Sequence, residues 1–214
     1  MSPLFSWNAR RGETSASSVA APRIVETLST SRTLPKFLAA LAVHPAPVVL
    51  DLGPVVGANV AFFGDRLACK ILIEDLYRDI EAYPRRGGDV TLADVLTTRV
   101  AESVSDPVHG VLCWDLFDYL DRPTARALAR CLRQVMHPKA VLHGLFGTTA
   151  ADLDYRTRFI VQSESTVKCR QEPAASTHRH ALQIGEIARL FDGLTIVESV
   201  LLQSRARETL FRKG

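Results

Sequence analysis

The stretch that most constrains this chain is Val48-Val49-Leu50-Asp51-Leu52-Gly53-Pro54-Val55-Val56-Gly57-Ala58-Asn59-Val60, a predicted strand that runs into an acid, a glycine turn and then a helix. Val48–Leu52 is almost wholly apolar and partly β-branched, the pattern of a strand buried on both faces in the middle of a parallel sheet. From here onward short apolar runs alternate with amphipathic stretches, as a parallel sheet covered by helices requires. The further runs Cys69–Ile73, Val90–Ala93, Gly110–Trp114 and Ala140–Phe146 predict four more strands. Between the last two, Thr124–Met136 places Ala127, Leu128, Cys131, Leu132 and Val135 on one helical face, with Arg126, Arg130 and Arg133 opposite. Pro123 suits the first turn of that helix. After a short helix over Ile184–Phe191, Leu194–Leu202 and Arg205–Arg212 predict an antiparallel hairpin at the sheet edge. Ahead of the sheet, Arg23–Val43 predicts one or two helices, with Pro35 as a break or first-turn residue.

A chain of 214 residues fits one domain with a substantial core. Its net charge of +3 gives no electrostatic argument for nucleic acid or membrane as a partner. No apolar run approaches the roughly 20 residues that span a bilayer. Cys69, Cys113, Cys131 and Cys169 are scattered, and two lie in predicted strands, so they are expected to be reduced thiols of a cytoplasmic protein. Residues 1–22 are rich in Ser and Ala, lack a signal-peptide core and are expected to form a flexible tail, with organelle targeting as the alternative. Residues 23–214 then form the domain, with 23–45 as N-terminal helices and 148–183 between the fifth strand and the last helix.

The chemistry gathers at the predicted strand ends. A tight turn at Gly53 brings main-chain N–H groups to a ligand lying across the sheet. About 20 residues on, the usual offset of a ribose-binding acid, the second strand ends in Glu74-Asp75. Turn and acid together point to a nucleoside-containing cofactor. Plainer readings stay open: Asp51 and Gly53 as a strand-end turn of another doubly wound protein, Glu74 and Asp75 as a helix N-terminus, and His143 as a satisfied core histidine. Cys169, His178 and His180 match no standard zinc spacing, so no metal is expected. Arg205, Arg207 and Arg212 read as a solvated strand face.

The segment from Asp51 resembles motif I of the class I S-adenosylmethionine-dependent methyltransferases, with Asp51, Gly53 and Gly57 on its acid and outer glycines and Val55, after Pro54, at its middle glycine. A β-branched residue there is costly if the position needs a positive φ. Asp94 resembles the family's adenine-side acid, His109–Leu120 its motif IV, and the terminal Leu190–Lys213 its closing helix and hairpin. The resemblance spans about residues 46–214. It implies an α/β, Rossmann-like doubly wound fold: a mostly parallel seven-stranded sheet with an antiparallel C-terminal hairpin and N-terminal helices. It implies S-adenosylmethionine as cofactor, held by Asp51, Gly53, Pro54, Gly57, Asn59, Glu74, Asp75, Asp94 and Asp115, and methyl transfer to a small-molecule or protein acceptor. It also implies an acceptor-side role for 148–183, which holds Tyr155, Arg156, Arg158, Lys168, Arg170 and Arg179 and suits a small polar acceptor. If the acceptor must lose a proton, Tyr119, His143 and Tyr155 are the candidate bases. A non-catalytic binding or scaffold protein of the same fold, favoured by Val55, and a different nucleotide-binding enzyme such as a dehydrogenase are the alternatives.

Overall fold

The computed structural model of the protein describes residues 25–85 and 89–214. The expected tail 1–22 lies outside the described residues. In chain order the elements are β1 (Glu26–Thr30), α1 (Leu34–Leu41), β2 (Val48–Asp51), α2 (Gly57–Leu67), β3 (Lys70–Ile73), α3 (Leu76–Ala82) and α4 (Leu92–Ser103). They continue with β4 (Val108–Trp114), α5 (Arg122–Val135), β5 (Met136–Gly147), β6 (Ala151–Ser163), β7 (Thr166–Arg179), α6 (Ile184–Leu190), β8 (Leu194–Leu201) and β9 (Ala206–Lys213).

The main sheet has six strands in the order β3-β2-β4-β5-β9-β8. β3, β2, β4 and β5 run parallel, and β9 is antiparallel to both β5 and β8. The doubly wound character is visible in the side chains. Leu50, Val111, Leu142 and Phe211 enter the core beneath α3, α4, α5 and α6. Their neighbours Val49, Leu112, Val141 and Leu210 enter a second core with α1, α2 and the β6–β7 hairpin. Strand alternation therefore feeds two cores, one on each face.

Two expectations are corrected. The sheet has six strands rather than seven, because Val90–Ala93 starts a helix instead of forming a strand. Thr91 Oγ1 accepts from the Asp94 N–H at 3.1 Å and Asp94 Oδ2 accepts from the Thr91 N–H at 3.3 Å, a reciprocal capping box. Leu96 and Val100 then carry the helical spacing into the core. The N-terminal region is also not all helix. Glu26–Thr30 is a strand, antiparallel to β7 from Glu26 opposite Arg170 to Thr30 opposite Thr166. Its hydroxylated, β-branched Thr27 and Thr30 suit an exposed edge, and α1 starts only after Thr33, with Pro35 in its first turn.

The segment between β5 and α6 is the hairpin β6–β7, which with β1 makes a separate sheet ordered β1-β7-β6. This sheet lies across α2 and the parallel strands. Asn59 of α2 pins it: its Nδ2 donates to the Phe159 carbonyl at 3.0 Å and its Oδ1 accepts from the Val161 N–H at 2.8 Å. Arg158 adds a bond from Nη1 to the Val55 carbonyl at 3.2 Å. Asn59→Ala leaves two buried main-chain groups of β6 unpaired, which costs roughly 2–4 kcal/mol. Urea unfolding is expected to show that loss, and amide exchange at Val161 is expected to accelerate.

Candidate functional site

The chain passes from β2 through α2 to β3 on one side, then returns to β4 on the other side of β2. Such a reversal opens a crevice at the carboxyl ends of β2 and β4, where open α/β sheets take their ligands. Asp51 ends β2 and is buried. Its Oδ1 accepts from the Gly53 N–H at 2.9 Å and from Trp114 Nε1 at 2.7 Å. Burial pushes the Asp51 carboxyl up to about 6 against the pull of those two bonds.

Gly53 is required for a close approach. A Cβ on it would stand 2.8 Å from Trp114 Cδ1. Trp114 ends β4 with a φ of 50°, where an indole side chain is strained. Its ring stacks on Phe159 of β6 with centroids 5.2 Å apart and planes 5° from parallel. The non-glycine residues with positive φ among those described are Ala68, Trp114, Lys139 and Arg205, so the positive φ considered for Val55 is not present there. Val55 itself is 62% exposed and absorbs no such strain. Gly57 opens α2 with free space where a Cβ would stand, and Pro54 is half-buried.

The structure brings some of the predicted acids to this crevice and directs others elsewhere. Glu74 follows β3, and its Oε2 lies 3.0 Å from Arg99 Nη2 of α4 without making a hydrogen bond. Asp75 caps α3, accepting from the Arg78 N–H at 3.2 Å. Asp94 is exposed at the start of α4, in the capping box described above. Asp115 follows Trp114 and is buried, with Tyr77 donating to Oδ1 at 2.5 Å and Tyr119 to Oδ2 at 3.3 Å. Burial pushes Asp115 up to about 6, and the same burial raises the Tyr119 hydroxyl, whose proton is already engaged. Asn59 serves the hairpin.

Beside the crevice, between the main sheet and the β1-β7-β6 sheet, lies a cavity of about 900 Å³. Trp114, Asp115, Asp118, His143, Tyr155 and Glu208 are among the residues that line it. His143 and Glu208 form a buried pair, Nε2 to Oε1 at 3.1 Å, with each side chain 2% exposed. Glu208 Oε2 accepts from the N–H groups of Arg32 at 2.8 Å and Thr33 at 3.3 Å, and Oε1 also accepts from Ser31 Oγ. Burial pushes Glu208 up, but the bond and charge of His143, the Ser31 hydroxyl and the Arg32 N–H outweigh it and hold the carboxyl at about 2. Asp118 accepts from the Gly147 N–H at 2.7 Å on Oδ2, while Oδ1 has no hydrogen-bond partner among the described residues. Burial and the neighbouring Asp115 raise it well above the usual carboxylate range.

Sequence reasoning missed Glu208, Trp114 and Asp118 as site residues. Glu208 was legible only as an acid among exposed arginines on an edge strand, and its role depends on the distant Ser31–Thr33. The four cysteines are free thiols. Among the described residues no group of three His, Cys, Asp or Glu side chains is placed to hold a metal, and no helix is long and apolar enough to cross a membrane.

No family model and no curated protein matches the chain. Among solved structures it is similar to an S-adenosylmethionine-dependent methyltransferase from Clostridium acetobutylicum ATCC 824, at 11% identity and TM-score 0.48, over 86% of this chain and 92% of that one. It is similar to the N-methyltransferase NodS from Bradyrhizobium japonicum WM9, in complex with S-adenosylhomocysteine, at 16% identity and TM-score 0.47, over 86% of this chain and 87% of that one. It is also similar to a Burkholderia thailandensis 1,6-didemethyltoxoflavin-N1-methyltransferase, at 15% identity and TM-score 0.47, over 86% of this chain and 79% of that one.

The raised Asp51 carboxyl sets a pH dependence. Its folded state holds a proton more tightly than the unfolded chain does. The resulting stabilisation is complete below the ordinary value of 3.8 and is lost as pH rises through about 6. Asp51→Asn keeps both hydrogen bonds and removes the titration. Urea unfolding at about pH 4 and pH 7 is expected to show the variant gaining on the wild type by up to about 3 kcal/mol at the higher pH.

Proposed function

We propose that this protein is an S-adenosylmethionine-dependent methyltransferase acting on a small polar acceptor. The observation that supports it most is the Asp51–Gly57 turn at the switch point of the sheet, with Glu74 and Asp75 at the end of the adjacent β3. The nucleoside end fits the residues present. Glu74 stands at the strand end, where its carboxylate, ion-paired through Oε2 with Arg99 at 3.0 Å, is positioned to accept from ribose hydroxyls. No side chain caps α2, so its first N–H groups are available to the carboxylate of the amino-acid end. At that end the Gly53 face is covered by the Trp114 indole, which must turn away for the cofactor's tail to lie there.

When bound, S-adenosylmethionine supplies a methyl group on an already activated leaving group. The chain's work is then to orient the acceptor, exclude water and remove a proton where the acceptor carries one. The hairpin and β1 close the cavity on the side away from the main sheet. Of the candidate bases, Tyr119 has its hydroxyl proton engaged with Asp115, Tyr155 lines the cavity, and His143 lines it with a carboxylate behind the ring.

A second reading, a binding protein of the same fold without catalysis, is favoured by one specific observation. Trp114 and Phe159 fill the space over Gly53, and Asn59 holds the hairpin there. Calorimetry with S-adenosylmethionine and S-adenosylhomocysteine separates the two. Methyl transfer predicts heat with the wild type, and Glu74→Ala is expected to weaken binding about ten- to a hundredfold, the worth of a hydrogen bond to a charged group. Heat only after Trp114→Ala, in a variant shown to be folded, supports the non-catalytic reading. No heat at millimolar ligand from either folded protein overturns the proposed cofactor.

A further inference from the structure

Three arginines from three separate parts of the chain line the cavity between the two sheets: Arg32 ahead of α1, Arg179 at the end of β7 and Arg205 in the turn between β8 and β9. None of them makes an ion pair among the described residues. Other arginines of the same hairpin are neutralised. Arg156 meets Glu81 at 3.2 Å, Arg158 meets Glu172 at 2.9 Å, and Arg170 stands 3.7 Å from Glu26. Arg179 has one long bond, from Nη2 to the Thr149 carbonyl at 3.3 Å, and its charge bears on Asp115 and Asp118 without pairing with either. The acids of the cavity are already met by other donors. Glu208 accepts from Ser31, Arg32 and Thr33, and Asp115 accepts from the hydroxyls of Tyr77 and Tyr119. Burial and the neighbouring Asp115 push Asp118 toward its protonated form.

The backbone at Arg205 makes the same point independently. Its φ is 59°, in the left-handed region that glycine holds at least cost. The turn is fixed by its main chain: the Arg205 carbonyl accepts from the Thr148 N–H at 3.2 Å and from Thr148 Oγ1 at 2.7 Å. The arginine side chain adds strain there, is exposed, and makes no hydrogen bond among the described residues. The cavity beside it has an apolar rim. Val25, Leu28 and Leu201 are exposed large apolar side chains, and all three line it together with Tyr155. The volume of about 900 Å³ lies in the range of small-molecule sites. Unpaired guanidiniums and an exposed apolar rim are thus found at one opening.

We infer that the cavity selects a small organic anion, an apolar planar body carrying a carboxylate or a phosphate, whose oxygens are bound by the guanidiniums of Arg179 and Arg205. Either oxyanion matches the planar donor fork of an arginine. The apolar body lies against Leu28, Leu201 and Tyr155 and leaves the charged end to the arginines. A neutral ligand of the same shape leaves the guanidiniums unmatched, and an ammonium meets like charge. That the anion is the methyl acceptor rests on the methyl-transfer reading. Its selection by charge does not, because it needs no cofactor.

The test is equilibrium dialysis of the full chain, without cofactor, against four probes that share one chromophore and differ in charge: 4-nitrobenzoate, 4-nitrophenyl phosphate, neutral 4-nitrobenzamide and cationic 4-nitrobenzylammonium. At neutral pH and low salt at least one of the two anions is expected to bind about tenfold or more tighter than the amide, the worth of a hydrogen bond to a charged group. Which anion binds tells the carboxylate from the phosphate. Arg179→Gln is expected to remove most of that preference while the affinity for the amide stays unchanged, a split that a merely structural role would not produce. Arg205→Gly, which suits the left-handed backbone, is expected to weaken anion binding without lowering the urea midpoint. No binding of either anion at millimolar concentration, equal affinity for anion and amide, or tighter binding of the ammonium overturns the inference. Unchanged anion affinity in a folded double variant, Arg179→Gln with Arg205→Gly, also overturns it. Because S-adenosylmethionine is absent throughout, these results stand apart from those of the cofactor titration.

Discussion

The contact on which the site depends is the Trp114 indole lying on Gly53. It joins three parts of the chain that are far apart in sequence: the turn after β2, the end of β4 and the hairpin strand β6. Asp51 fixes the indole nitrogen at 2.7 Å, Gly53 admits the ring by having no Cβ, and Phe159 covers the other side. The left-handed backbone at Trp114 coincides with a register shift between Leu112 and Trp114 in the β4–β5 pairing. Strain of this kind costs on the order of 1–3 kcal/mol and persists only where surrounding contacts over-determine it. The three partners of the indole provide that determination. Because Trp114 also lines the cavity, one ring is the wall between the crevice at β2 and the space beneath the hairpin.

The parts of this arrangement that were legible in the sequence are those set by local pattern. The run Val48–Leu52, the helix after Pro123 and the terminal hairpin each carry their periodicity and turn residues within a dozen positions, and each forms close to the expected bounds. Val90–Ala93 misled because a short apolar run preceding a helix looks like a strand unless the Thr91–Asp94 capping box is weighed. Glu26–Thr30 misled because its strand character comes from pairing with β7, a partner more than a hundred residues away. The site divides in the same way. Asp51, Gly53 and Glu74 were proposed from strand ends and lie at them, whereas both polar atoms of Asn59, also proposed for the cofactor, bond the hairpin strand β6. No local signal announces that use, because it depends on where an inserted strand lands.

The buried acids show why position alone does not fix their chemistry. Asp51, Asp115 and Glu208 are all nearly inaccessible, yet burial raises the first two and Glu208 falls to about 2. The difference lies in the donors. Asp51 receives its two hydrogen bonds on one oxygen, and Asp115 is bonded by two tyrosine hydroxyls. Glu208 receives bonds on both oxygens, including two main-chain N–H groups just ahead of α1 and an imidazole. A carboxylate so surrounded stays ionised despite its burial.

That donor set comes mostly from the segment between β1 and α1, and this gives the N-terminal region its place in the molecule. Ser31 binds Glu208 and also accepts from the Leu34 N–H at 2.9 Å, so one hydroxyl links the start of α1 to the carboxylate. Glu208 in turn stands where a negative charge favours the helix N-terminus. Had residues 23–33 been helical, as the apolar spacing suggested, the N–H groups of Arg32 and Thr33 would be tied into helical turns or displaced from the carboxylate. The strand at Glu26–Thr30 and the turn after it free those groups for Glu208, and the same strand completes the small sheet that roofs the cavity. The irregular entry into α1 is therefore what places the carboxylate behind His143, with Glu208 Oε1 3.1 Å from the ring's Nε2.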